Sequence, residues 1–264
     1  MSSSFFFKNQ IKLDETVSTN DFLLELDKMT FIDSNVVVTA NYQKFGRGKQ
    51  IRKWESKKGK NLLLSILFKH KLKLKDQFNF SVIISLALKD LLSEIQDDKV
   101  FIKWPNDIIV NDEKIAGFII ENKSNNSMIH TSILGIGLNV NQTLFQNYTP
   151  KATSVIKLTK KELDIDIIKN RLLFFLEKYY LLDNSLIENI INYNECLYAK
   201  NKELKFKSEN KIFVGKIQRV KKSGEIIIET EKEGKIVKLN DLEYIFYTFL
   251  IISVNLSRNI FIGF

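Results

Sequence analysis

The sequence predicts an α+β protein: a mixed-sheet domain with helices packed on it, followed by a smaller all-β unit. Three observations carry that expectation. Compact β-branched runs recur through the N-terminal half, and one segment among them instead places its apolar residues at helical spacing. After Tyr198 the texture changes to short alternating strands. The chain has 264 residues and 44% hydrophobic content, enough for one large domain or two modest ones.

Taken in order, Ser18-Thr19-Asn20 precede an amphipathic stretch presenting Phe22, Leu23, Leu26 and Met29. All three are favoured helix N-caps. Val36-Val37-Val38-Thr39-Ala40 reads as a buried strand, as do the runs from Asn61 to Phe68 and from Val100 to Trp104. Between the first two strands, Asn41 to Lys60 is polar and basic with three glycines. A loop of that length inside a compact domain is usually functional or mobile. Asp76 to Leu92 carries Phe80, Ile83, Ile84, Ala87, Leu88 and Leu91, which predicts a core helix. Asn111-Asp112-Glu113 reads as a hairpin turn between Ile108–Val110 and Lys114–Glu121. Met128 to Val140 is an apolar run holding Gly135 and Gly137, and glycine in a strand points to a close backbone approach. Thr159-Lys160-Lys161-Glu162 has the capping-box pattern and predicts a helix to about Leu182, with a second from Ser185 to about Cys196. Glu203–Lys207, Lys211–Val220, Glu225–Glu231 and Lys235–Leu239 then alternate as strands, with turns at Ser223-Gly224 and Glu233-Gly234, and suggest a small barrel. The expected units are 1–198, 199–246 and an apolar extension, 247–264, of no evident role.

Composition narrows the function classes. Charged residues at 27% and aromatics at 11% exclude a disordered chain. A single cysteine, Cys196, excludes a disulfide scaffold and a cysteine-based zinc site. His70 and His130 are too few for a histidine-rich metal centre. The first residues lack the basic start of a signal peptide, and the apolar run from Tyr244 to Leu256 falls short of the roughly 20 residues that span a bilayer. The expectation is a cytoplasmic protein with no membrane partner. The net charge of +9 hints at nucleic acid, yet the arginines are only Arg47, Arg52, Arg171, Arg219 and Arg258, leaving 35 lysines among the 40 cations. Dedicated phosphate and base readers lean on arginine's planar fork. A nucleic-acid-binding module remains an alternative on charge alone.

Four segments could carry chemistry besides Ser18-Thr19-Asn20. The loop from Gln43 to Trp54 gathers Lys44, Arg47, Lys49, Arg52 and Lys53 around Gly46 and Gly48. Such a loop can bring several donors to phosphate oxygens, and Trp54 can stack on a flat ring. Lys103-Trp104-Pro105-Asn106-Asp107 turns one strand into the next, with a lysine and an acid at its ends. Lys114-Ile115-Ala116-Gly117 sets a lysine beside small residues, and Gly135-Ile136-Gly137-Leu138-Asn139 ends a strand on a polar side chain. Each has a plain structural explanation taken alone.

Their order and spacing, STN, QxxGRG…W, KWPND, KIAG and GIGLN, resemble the biotin–protein ligase family over roughly residues 14–246. KWPND followed seven residues later by the lysine of KIAG is the most specific part. The resemblance implies a catalytic domain similar to class II aminoacyl-tRNA synthetases and a small C-terminal SH3-like barrel. It implies activation of biotin by ATP as biotinyl-5′-AMP, with Mg²⁺, and transfer to a lysine of a biotin carboxyl carrier domain. By similarity, Ser18, Thr19, Asn20, Gln43, Gly46, Arg47, Gly48 and Lys114 would bind biotin, with Lys114 and Arg47 catalytic. Lys49, Arg52, Trp54, Asn106, Asp107 and Asn139 would bind the nucleotide, with Asp107 also a magnesium ligand. Lys49 stands where the family pattern often has a second arginine and Ile51 where it has a glycine, which implies weaker retention of the adenylate. With about 13 residues before the start of the resemblance at residue 14, no DNA-binding segment and no DNA partner are expected. The protein would be a monomer or homodimer. A lipoate or octanoate ligase on the same fold is the nearest alternative.

Overall fold

The computed structural model describes residues 5–48, 53–181, 186–208, 211–230, 234–237 and 242–245. Lys49, Ile51, Arg52, the Glu233 side of the second predicted turn and the extension 247–264 lie outside them.

Seven strands form the main sheet: β1 (Asn9–Thr16), β2 (Val36–Gln43), β3 (Asn61–Lys73), β4 (Val100–Lys103), β5 (Asp107–Val110), β6 (Glu113–Asn125) and β7 (Met128–Asn139). Their order is β1-β2-β3-β7-β6-β5-β4, with β1 parallel to β2 and every other pair antiparallel. β1 is the strand the sequence conceals. It is an edge strand with mostly solvent-facing side chains, so no apolar run marks it. The β5–β6 turn holds Asn111 and Asp112 at φ 51° and 61°, the left-handed pair that a two-residue hairpin requires.

Alternation along β3 and β7 divides the sheet into two faces. Leu62, Leu64, Ile66 and Phe68, with Leu134, Ile136 and Leu138, enter the main core with side chains of α2 (Gln77–Ile95) and α4 (Ile165–Leu181). The opposite face offers Leu67 and Ile133, which join Val36 and Val38 against Leu23 of α1 (Thr19–Met29). α1 covers only part of that face. Ser65, Gly135 and Gly137 continue it, and the two glycines floor a cleft.

The predicted helix from Thr159 is corrected. Thr159 ends a short helix, α3 (Val155–Thr159), and its hydroxyl donates back to the Val155 carbonyl. The true start of α4 is set by Asp164, whose Oδ1 accepts from the amides of Asp166 at 2.7 Å and Ile167 at 3.3 Å. An aspartate cap outcompetes the threonine pattern because it directly precedes the apolar face.

α5 (Leu186–Glu195) leads to the second sheet, formed by β8 (Glu203–Ser208), β9 (Lys211–Val220), β10 (Ile226–Glu229), β11 (Gly234–Val237) and β12 (Glu243–Ile245). These five strands are ordered β11-β10-β9-β8-β12, and the described pairings form an antiparallel sheet without a closing β11–β12 pair. The small sheet shares the main core: Phe206, Ile217, Val220, Ile226 and Ile228 belong to the same cluster as Trp104 and Tyr193. Trp104 is fully buried and its Nε1 donates to the Gly224 carbonyl at 3.0 Å, fastening the β4–β5 turn to the β9–β10 turn.

Candidate functional site

The cleft has a volume of about 1070 Å³ and is walled by the α1 N-terminus, the loop after β2, the β4–β5 turn and strands β8 and β12. The register explains its floor. Ser65 is opposite Gly135, and Gly137 is flanked by Leu63 and Gly117. A Cβ on Gly135 would overlap the Asn20 amide, and one on Gly137 would overlap the Trp54 indole. The close approaches that two strand glycines predicted are therefore Asn20 and Trp54 themselves.

At the α1 end the polar groups interlock. Ser18 caps α1, accepting from the Asp21 amide at 3.4 Å. The Thr19 amide and hydroxyl both donate to Gln43 Oε1, at 2.7 and 2.9 Å. That fixes the Gln43 amide, with Nε2 as its donor end. Ser65, buried in the middle of an apolar strand, lies within donating distance of Asn20 Oδ1 (2.5 Å) and Thr19 Oγ1 (2.7 Å). Asn20 Nδ2 donates to Glu121 Oε2 at 2.6 Å. Arg47 Nη2 meets Glu121 Oε2 at 3.1 Å and Asp21 Oδ1 at 2.6 Å.

At the other end, a β-bulge supplies the lysine. Asp107 pairs with Gly117 and Ile108 with Ala116, but Ile109 pairs with Lys114, so β6 carries one extra residue. Without it, Lys114 would face the sheet's other side; with it, Lys114 shares the face of Asp107 and Gly117. Its backbone is held on the outer side too, by the Lys151 carbonyl at 2.7 Å and the Thr153 amide at 2.9 Å. Lys114 Nζ reaches Asp107 Oδ1 at 2.6 Å, while Lys103 Nζ reaches Oδ2 at 3.2 Å. Burial alone would raise the Asp107 carboxyl, but the charges and hydrogen bonds of Lys114 and Lys103 outweigh it and hold the group below the ordinary carboxylate range. Two ammonium groups around one carboxylate leave a local excess of positive charge, which suits an anionic ligand. β12 closes this end, with the Tyr244 ring 4.7 Å from Lys103 Nζ.

The loop after β2 returns on itself. Arg47 pairs with Lys53, and the Trp54 amide donates to the Gly46 carbonyl at 2.9 Å. The indole lies over Gly137, 5.6 Å from Lys114 Nζ. Asn139 Nδ2 donates to the Thr153 carbonyl at 2.9 Å. Trp54 Nε1 and Asn139 Oδ1 are buried without a hydrogen-bond partner. A donor and an acceptor left unsatisfied beside one cleft are costly unless a ligand completes them. Asn106 is otherwise engaged: its Nδ2 donates to the Phe118 carbonyl at 2.6 Å, holding the turn.

Magnesium does not fit Asp107 as expected. Both its carboxylate oxygens face ammonium groups. No group of three or more His, Cys, Asp or Glu side chains that could hold a metal occurs among the described residues.

Residues 13–139 match the Biotin/lipoate A/B protein ligase family. Those residues, just under half of the chain, carry that family's domain. It is 33% identical over 123 residues to the Bifunctional ligase/repressor BirA of Escherichia coli, covering 47% of this chain and 38% of that protein. It is 25% identical over 214 residues to BirA of Bacillus subtilis, covering 78% and 65%. The chain thus spans less than two thirds of either relative. The biotin protein ligase from Aquifex aeolicus, solved in complex with biotin and ATP, superposes with a TM-score of 0.75 at 25% identity over 90% of this chain and 99% of that one.

Of the family-pattern residues, the structure gathers Ser18, Thr19, Asn20, Gln43, Arg47, Gly48, Trp54, Asn106, Asp107, Lys114 and Asn139 around one cleft. Gly46 is packed beneath it, where a Cβ would come within 2.9 Å of the Trp54 carbonyl. Lys49 and Arg52 lie outside the described residues. Ser65, Asp21 and Glu121 escape the motifs altogether. A lone serine inside Leu62-Leu63-Leu64-Ser65-Ile66-Leu67, and an acid closing Phe118-Ile119-Ile120-Glu121, were the available signals.

Proposed function

We propose that this protein activates biotin with ATP as biotinyl-5′-AMP and transfers it to a lysine of a biotin carboxyl carrier domain. The observation that carries the reading is the bulge that turns Lys114 onto the cleft face, beside Asp107 and Lys103 and opposite the polar α1 end. In the first step a biotin carboxylate oxygen attacks the α-phosphorus, and the bond to the bridging oxygen breaks to release pyrophosphate. In the second, the carrier lysine's amine attacks the acyl carbon, AMP departs with the bonding pair, and the amine loses a proton.

Each end of the cleft has a task. Thr19, Gln43 and the Asn20 wall recognise a compact polar ring, aided by Ser18 at the helix start and by the close backbone of Gly46 and Gly48. Lys114 bridges the carboxylate and an α-phosphate oxygen, anions that repel each other until a cation lies between them. One preorganised donor of this kind is worth about 3–4 kcal/mol to a transition state. Trp54 Nε1 and Asn139 Oδ1 offer the adenine side a donor and an acceptor, while Lys49 and Arg52 extend the phosphate contacts from the loop. Mg²⁺ accompanies the triphosphate and offsets its charge. The second sheet, expected as a small barrel, supplies Lys207, Ser208 and Tyr244 to the cleft. No helix among the described residues is long and apolar enough to cross a membrane; the site of action we propose is cytoplasmic.

The test is ATP-dependent labelling of a purified carrier domain, read by streptavidin blot. The wild type labels the carrier and Lys114→Ala lowers the rate by about a hundredfold or more. Equal labelling by the variant removes the assignment. Because the family also embraces lipoate ligases, lipoate belongs in the assay as a competitor; lipoate that labels in preference to biotin favours that substrate.

A further inference from the structure

Glu121 stands outside every motif, yet one of its oxygens joins two separate elements at the α1 end of the site. Oε2 accepts from Asn20 Nδ2 at 2.6 Å and from Arg47 Nη2 at 3.1 Å. Asn20 belongs to the first turn of α1, whereas Arg47 belongs to the loop that folds over the cleft. Asn20 is also held elsewhere: its Oδ1 faces Ser65, and its amide rests on Gly135. Arg47 shares Nη2 between Asp21 and Glu121. An arginine has five N–H donors, so Nε and Nη1 still provide three for an anion.

We infer that Glu121 is a positioning residue for the ligase reaction, orienting Asn20 as the fixed wall of the biotin end and aiming Arg47 toward the phosphates; the inference rests on the function proposed above. The two tasks need different properties of the side chain. Holding Asn20 needs only an acceptor, which a glutamine oxygen also supplies. Holding Arg47 against the pull of a polyphosphate needs a negative charge, because charge-assisted bonds are about twice as strong as neutral ones. A carboxylate that merely stabilised the sheet would not separate these effects.

The experiment is steady-state biotin-dependent ATP–pyrophosphate exchange with wild type, Glu121→Gln and Glu121→Ala, each checked for a cooperative thermal transition. Glu121→Ala raises the KM for biotin by about tenfold, the size of one lost charge-assisted hydrogen bond, with little change in the KM for ATP. Glu121→Gln keeps the wild-type KM for biotin and lowers the maximal exchange rate by about tenfold. Variants that match the wild type, or that match each other in every parameter, overturn the inference. If Glu121→Ala does not fold, the glutamine variant decides: a lower rate at unchanged KM supports the role, and an unchanged rate overturns it. Absence of exchange in the wild type overturns the underlying function, and this inference with it; normal wild-type exchange with silent variants overturns this inference alone.

Discussion

Lys114 and Asp107 were legible as chemistry because their spacing is a motif, but the reason they meet is a bulge that no residue pattern announces. Glu121 and Ser65 show the reverse case: they hold the site together through long-range contacts, and such contacts leave only a faint mark in a sequence. His70 marks a third. Its imidazole is wedged among Phe68, Phe80 and Tyr180, with Nε2 2.8 Å from Ser132 Oγ, and burial lowers its pKa from 6.5 to about 4. The unfolded chain takes up this proton below about pH 6.5, the folded chain only near pH 4. The unfolded state therefore binds more protons between those values. The contribution to stability is complete above pH 6.5 and declines as pH falls toward 4. Urea midpoints should drop between pH 7 and pH 5 in the wild type and stay flatter in His70→Gln; parallel declines in both would contradict this origin.

Among the elements, those that bury continuous apolar faces were readable, and those defined by competition were not. α2 and the central strands follow from periodicity, since each places its apolar residues in the core. The helix start near Thr159 was misplaced because two capping residues, Thr159 and Asp164, lie close together, and only packing selects the second. Trp104 falls within the KWPND segment between Lys103 and Asp107, yet it is a joint between the sheets. Trp104→Phe keeps most of the buried ring and removes the bond to Gly224, leaving that carbonyl unpaired. It should lower the unfolding free energy by about 1–3 kcal/mol in a urea titration. An unchanged midpoint would mean that the small sheet is held by its apolar contacts alone.

At the scale of the molecule, the two sheets share one hydrophobic core. Ala199 and Asn201 both adopt left-handed backbone, at φ 56° and 60°, as the chain turns from α5 into β8. The +9 charge that first suggested nucleic acid comes from a set of cations that is largely lysine, some of them already paired with carboxylates, as in Lys12–Asp166, Lys58–Asp14 and Lys60–Glu162. What matters for the proposed function is the small positive excess at Lys103, Asp107 and Lys114, in the same cleft as the polar groups of Thr19, Asn20 and Gln43. The most direct test of this account is ATP–pyrophosphate exchange by the purified protein with biotin, with lipoate and with neither. Exchange that depends on biotin, and is far weaker with lipoate or without either acid, is the predicted result; exchange indifferent to biotin, or none at all, would contradict it.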